Sequence, residues 1–76
     1  MEFGTIKINL NKLIEERGIS KYKLGLEAHM HLRQINGFCD NTITRADFNV
    51  LGRLCTALDC EISDLLEYVP PKKSEK

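Results

Sequence analysis

No stretch of this chain is apolar for long enough to cross a bilayer, a span that takes roughly 18 to 20 residues. The opening segment MEFGTIKINL also lacks both a basic n-region and an apolar h-region, so a cytoplasmic protein is expected. Cysteine is sparse and unpaired in pattern. Cys39, Cys55 and Cys60 are odd in number and form no CxxC, whereas small disulfide-stapled domains carry a denser, even set; reduced thiols fit better. The formal net charge is zero, which excludes a surface coated in positive charge of the kind a nonspecific DNA packager needs. The constellations of catalysis are missing too. There is no serine, histidine and acid set at a recognisable spacing, no glycine-rich phosphate loop and no carboxylate pair in a plausible cleft, and Glu15-Glu16 belongs to a solvated helix face. No catalytic residue is assigned and an enzyme is not expected.

What is present suits one small folded domain. The 76 residues are 42% hydrophobic and 29% charged, with seven Pro and Gly positions, the profile of a compact domain and not of a disordered segment. Charge is unevenly spread. From Arg17 to Arg45, five cations (Arg17, Lys21, Lys23, Arg33, Arg45) face Glu27 and Asp40, a balance of +3. From Ala46 to Val69, Arg53 alone opposes Asp47, Asp59, Glu61, Asp64 and Glu67, a balance of −4. The first half can face phosphates and the second should avoid them.

Residues 1–5 have no periodicity and read as an N-terminal extension outside the fold. Ile6-Lys7-Ile8 alternates as a short strand, and its natural partner is Glu67-Tyr68-Val69; together they would clip the termini. A first helix opens at Asn9, an N-cap residue, with Leu10, Leu13 and Ile14 on one face, and ends at Gly18 with Arg17 at the negative end of the helix dipole. Ile19 enters the core before Ser20, the next N-cap. A second helix over Lys21 to Ala28 turns Leu24 and Ala28 inward and Lys21, Lys23 and Glu27 outward. Gly25 inside it costs roughly 0.5 to 1 kcal/mol relative to alanine, which implies close approach of a neighbouring helix.

A bend at His29-Met30, with Met30 buried, leads to a third helix from His31 or Leu32 to Cys39 that buries Ile35 and Phe38 and stops at Asp40-Asn41. The linker Thr42 to Arg45 follows. A fourth helix, Asp47 to Leu58, carries the apolar stripe Phe48, Leu51, Leu54, Cys55 and Leu58, and a last short helix from Ser63 buries Leu65 and Leu66. Residues 70–76, PPKKSEK, read as a disordered tail, leaving 6–69 as the domain. The expected fold class is all-α, about five short helices with a two-strand clip.

The stretch Ser20 to Asn41, two short helices joined by a tight bend, has the form of a helix-turn-helix, which would lay the second helix in a DNA major groove. Its polar face has the matching chemistry. Arg33 can bond bidentately to guanine O6 and N7, and Gln34 to adenine N6 and N7. Leu32 can meet a thymine methyl, Asn36 can reach a base or phosphate, and Gly37 lets backbone approach closely; the competing reading for all of them is a solvated helix face. Asn41, Thr42, Thr44 and Arg45 form a polar loop able to grip the adjoining backbone. His29, His31 and Cys39 suggest a metal only loosely, since no thiol pair supports them, and no metal or cofactor is assigned. Cys55 reads as a small core residue and Cys60 as exposed.

From Ile6 to Val69 the chain resembles the Cro and phage-repressor (Xre) type of helix-turn-helix regulator, with the lambda-repressor-like fold. The resemblance is carried by Leu13-Ile14-Glu15-Glu16-Arg17-Gly18-Ile19-Ser20 in front, by Leu51, Leu54-Cys55, Ala57-Leu58 and Asp59-Cys60 behind, and by the ending Asp64-Leu65-Leu66-Glu67-Tyr68 of small members. The family usually has alanine where Gly25 stands and glycine where His29 stands, so the resemblance implies a positive φ at His29. It also implies a phosphate held near Lys21 and Tyr22 at the start of the second helix. His31, where the third helix opens, is counted with the DNA-contacting candidates beside its bend and cap role. The function implied is sequence-specific double-stranded DNA binding by a transcriptional regulator, a repressor above all, acting as a homodimer on a palindromic operator. The alternatives are a protein-interaction module or antitoxin that kept the scaffold and lost strong DNA contact, and more distantly a metal or redox sensor.

Overall fold

Two four-residue strands bring the chain ends together: β1 (Thr5–Ile8) pairs antiparallel with β2 (Leu66–Val69), Ile6 opposite Tyr68 and Ile8 opposite Leu66. Between them run five helices, α1 (Leu10–Arg17), α2 (Lys21–Ala28), α3 (Leu32–Asp40), α4 (Phe48–Leu58) and α5 (Ile62–Leu65). The structure, a computed structural model, describes residues 2–71. The expected tail 70–76 therefore lies, from Lys72 on, outside the described residues. The two-strand clip forms as expected but is longer by one residue on each strand. Gly4 and Thr5 thus belong to the fold, not to an extension, and a Cβ on Gly4 would lie 2.5 Å from the Val69 carbonyl oxygen.

The core is aliphatic. Leu10, Leu24, Ile35, Leu54 and Leu65, one from each helix, are fully buried, joined by Leu13, Ile14, Ala28, Met30, Phe38, Cys39, Leu51 and Leu58. Periodicity predicted most of these helix faces; Cys55 and Leu66 are only partly buried, and Phe48, expected on the α4 stripe, is 87% exposed. It is the first residue of α4, before any other element covers that face, so helical spacing alone puts it on the right side with nothing opposite. Asp47 is the N-cap and not a helix residue; its carboxylate accepts from the Asn49 N–H at 2.8 Å. The last helix starts at Ile62, one residue ahead of Ser63, and its second expected core residue, Leu66, is half-buried in β2.

Side chains tie the helix ends in ways that local pattern does not predict. Asn9 precedes α1 without capping it; its N–H donates to the Leu65 carbonyl at 2.8 Å and its side chain to Glu67 Oε1 at 3.2 Å. Arg17 does more than sit at the end of its own helix. It reaches the end of α4, where Nε donates to the Leu58 carbonyl at 2.9 Å and Nη2 to that of Asp59 at 3.4 Å, satisfying carbonyls that a helix end leaves open. Cys60 follows that end against Cys55, so it is partly covered and not freely exposed, and Cys55 is itself only partly buried.

Candidate nucleic-acid interface

The unit α2-turn-α3 forms as the sequence predicts. Ser20 caps α2, its hydroxyl oxygen accepting from the Lys23 N–H at 3.0 Å. The helix ends at His29 with φ 56°, the left-handed conformation expected there. Met30 is buried behind it and donates its N–H to the Gly25 carbonyl at 2.8 Å. Gly25 is explained by this turn and not by a neighbouring helix: a Cβ on it would stand 2.8 Å from the Met30 carbonyl oxygen. One residue unmarked by the sequence reading completes the turn. Arg53, from α4, donates its Nε to the Ala28 carbonyl at 2.7 Å, fixing the last turn of α2 where the chain reverses.

From this turn α3 projects with Ile35, Phe38 and Cys39 buried and Leu32, Arg33 and Gln34 exposed, Leu32 by 50%. Among the described residues only Arg17 and Glu16 come within ion-pair distance, at 3.8 Å, so Arg33 enters no salt bridge there. Gln34 is partly engaged: its Oε1 accepts from the His31 N–H at 2.9 Å, which ties the side chain back to the helix start and leaves its NH₂ group outward. A recess of about 200 Å³ between the two helices is lined by Lys21, Tyr22, Gly25, Leu26, Met30, His31 and Leu32, which brings four of the expected contact residues to one place. Tyr22 is 71% exposed at its edge.

Other expected contacts are already engaged within the protein. Lys21 is not simply outward; its Nζ donates to Asn36 Oδ1 at 3.1 Å, joining two expected DNA contacts to each other across the motif. Gly37 is explained within the protein, because the direction of its missing Cβ is filled by Ile43 Cγ2, which would lie 2.9 Å away. Thr42 folds back on the same helix, its N–H and hydroxyl both donating to the Gly37 carbonyl at 3.1 and 3.4 Å. Asn41 is the clearest departure. Its Oδ1 accepts from the Ile8 N–H at 2.7 Å and its Nδ2 donates to the Ile8 carbonyl at 3.1 Å, so the carboxamide stands against β1 like one residue of a third strand. Thr44 and Arg45 remain exposed, beside an apolar groove of about 410 Å³ floored by Ile8, Phe38, Ile43, Leu51 and Leu66. Asp40, exposed at the end of α3, adds a negative charge there that disfavours a phosphate directly beside it.

The histidines and Cys39 do not assemble: among the described residues no group of three or more His, Cys, Asp or Glu side chains could hold a metal ion. Burial pushes the Cys39 thiol pKa up, partly offset by the Lys21 ammonium. Nor is any helix among the described residues long and apolar enough to cross a membrane.

With this geometry, comparison with known proteins is decisive for the family. Residues 9–71 match the Cro/C1-type HTH DNA-binding domain, and the chain belongs to that family. Its fold is similar to that in the crystal structure of the transcriptional regulator VanUg (Form II), with a TM-score of 0.71 over 93% of each chain and 21% sequence identity. No curated protein matches the sequence.

Proposed function

We propose that this protein is a transcriptional regulator that binds a specific double-stranded DNA operator by laying α3 in the major groove. The observation that carries the reading is the split character of that helix: Ile35, Phe38 and Cys39 anchor one side, while Leu32, Arg33 and Gln34 stand exposed beside Lys21, Tyr22 and His31. Arg33 reads guanine, the outward NH₂ of Gln34 reaches a base-edge acceptor, and Leu32 meets a thymine methyl. Lys21 and Tyr22 hold a phosphate at the start of α2, and Thr44 and Arg45 hold another beyond α3. Two copies on a palindromic site give the affinity that one small domain lacks, and occupancy of the promoter represses by excluding polymerase. The three free thiols suit the reducing cytoplasm. The function is binding, with no catalytic step.

Selection of bound sequences from random duplex DNA tests this directly. A motif should be enriched, Arg33→Ala should erase preference at one base pair, and Arg45→Ala should weaken all sequences alike and lower the salt slope by about 1. No enriched motif, or full specificity retained in Arg33→Ala, overturns the proposal. Exposed Phe3, Ile6, Phe48 and Tyr68 favour the second reading, a protein-binding module, whose complexes would barely respond to salt.

A further inference from the structure

We propose that Asn41 is a positioning residue for base readout: by latching the end of α3 to the backbone of β1 it sets the tilt of the helix, and sequence specificity depends on it without contact to DNA. The inference rests on the DNA-binding reading above. Its ground is the pair of bonds to Ile8, which span 33 residues of sequence. The other bonds at that end of α3, from the N–H groups of Asn41 and Thr42 to the carbonyls of Phe38 and Gly37, are local and move with the helix. They cannot aim it.

What holds α3 to the rest of the molecule is otherwise mostly apolar. Ile35, Phe38 and Cys39 fix how deeply the helix sits and, by their packing, its general crossing angle, and a directional bond at the helix end adds the finer control of tilt. Among the described residues two long-range polar ties remain, Lys21 to Asn36 and Asn41 to Ile8. The first ends on a flexible ammonium with freely rotating donors, whereas the second is a planar carboxamide bonded at both ends to one residue. The partner is itself held, since β1 is paired with β2 on its other edge. In an antiparallel pair the N–H and C=O of one residue point to the same side, so Ile8, bonded outward to Asn41, is not used by the ladder. The latch therefore takes backbone groups that would otherwise be open, and its loss leaves the sheet paired.

The consequence for recognition follows from lever length. Arg33 lies at the opposite end of the nine-residue helix, so at about 1.5 Å rise per residue a tilt of about 5° pivoting at Asn41 displaces it by about 1 Å. Bidentate base contacts need donor and acceptor within about 2.7 to 3.2 Å and do not survive that displacement, while phosphate contacts from long flexible side chains do. Specificity should fall before affinity does.

The test uses the full chain, with the ratio of affinity for the selected operator over a scrambled duplex, at fixed salt and at a temperature where circular dichroism shows each variant folded. Asn41→Gly keeps the left-handed backbone (φ 57°) but removes both bonds. Ile8→Pro removes the N–H from the other partner and leaves the Asn41 side chain intact, at an edge position where proline is tolerated. Each should lower the ratio about tenfold or more, with nonspecific affinity and salt slope changed less than about twofold, and the double variant should be no worse than either single. Should Asn41→Gly weaken all sequences and flatten the salt slope while Ile8→Pro changes nothing, Asn41 is a phosphate contact and the latch is overturned. Unchanged specificity in both variants overturns it as well. Failure of the wild-type chain to select any sequence counts against the DNA-binding reading instead, and the latch is then judged by hydrogen exchange. The Ile8 amide should be protected in the wild type and should lose protection in Asn41→Gly together with the α3 amides; equal protection in both overturns the latch.

Discussion

At its start α3 follows a tight turn whose inner side is held by several contacts, while His29 and His31 face outward: Met30 is buried, its carbonyl lies against Gly25, its N–H bonds to the Gly25 carbonyl, and Arg53 closes the Ala28 carbonyl. At its finish the same helix runs into the irregular segment Asn41 to Asp47, and beyond the apolar anchors Phe38 and Cys39 the hydrogen bonds that tie that end across the sequence, among the described residues, come from one carboxamide. Both ends turn on a non-glycine residue with positive φ, His29 at 56° and Asn41 at 57°. The backbone conformation is the same, yet the means of enforcing it differ. The first end is over-determined by main-chain packing, and single changes there should cost stability. The second hangs on one side chain, and a single change there should cost aim.

The largest effect expected is at the packed end. Gly25→Val must push the Met30 carbonyl away, since even the first added carbon would come within 2.8 Å of it. With the turn held in the core by Met30, a loss of about 2 to 3 kcal/mol is expected from urea unfolding. A variant as stable as wild type would mean that the turn is loosely held and the contrast between the two ends is false. Next comes Arg53→Ala. It removes a part-buried, charge-assisted bond of 2.7 Å and leaves the Ala28 carbonyl without that donor, which should cost about 1.5 kcal/mol. The same substitution at Arg45, which makes no such bond among the described residues, should leave stability unchanged and serves as the control.

How far these features could be read in advance depended on the kind of partner. The helices and their buried faces follow from apolar spacing, because Leu51, Leu54 and Leu58 or Ile35 and Phe38 carry their own signal. Phe48 obeys the same spacing and is bare, since periodicity gives direction and not coverage. Gly25 was conspicuous as a glycine within a helix, but the atom that requires it belongs to the turn backbone and has no sequence signature. The Asn41 latch was illegible for the same reason: its partner is main chain, 33 residues away, and any residue but proline at position 8 would present the same N–H and C=O. A polar loop residue beside a polar helix looks like a DNA contact until the strand that occupies it is seen. Arg33, Tyr22 and Leu32, whose chemistry lies in their own side chains, are exposed as the helical pattern predicts, while Gln34 is exposed but tied back through its Oε1 to the His31 N–H.

A smaller effect should sharpen the likeness between the two ends. His29 adopts a conformation that costs an L-residue roughly 1 to 2 kcal/mol, part of which glycine would recover and part of which it would forfeit as chain entropy. His29→Gly should therefore stabilise by about 0.5 to 1 kcal/mol in urea unfolding without altering the turn. Destabilisation would reveal a contact of the imidazole that holds the turn.

The third non-glycine helix end in the left-handed conformation, Asp59 with φ 52° after α4, offers the smallest effect and a control away from the interface. Here Cys60 lies against Cys55, and burial, reinforced by that neighbouring thiol, pushes its pKa up to about 11 from 9.0. The folded chain thus keeps this proton over a range in which the unfolded chain releases it. The resulting contribution to stability is complete below pH 9.0 and declines as pH rises through about 11. Thermal unfolding of Cys60→Ala should accordingly show a shallower fall across that window than the wild type. Identical slopes would mean that the thiol is as solvated as in the unfolded chain, and that this helix end, unlike the start of α3, is open.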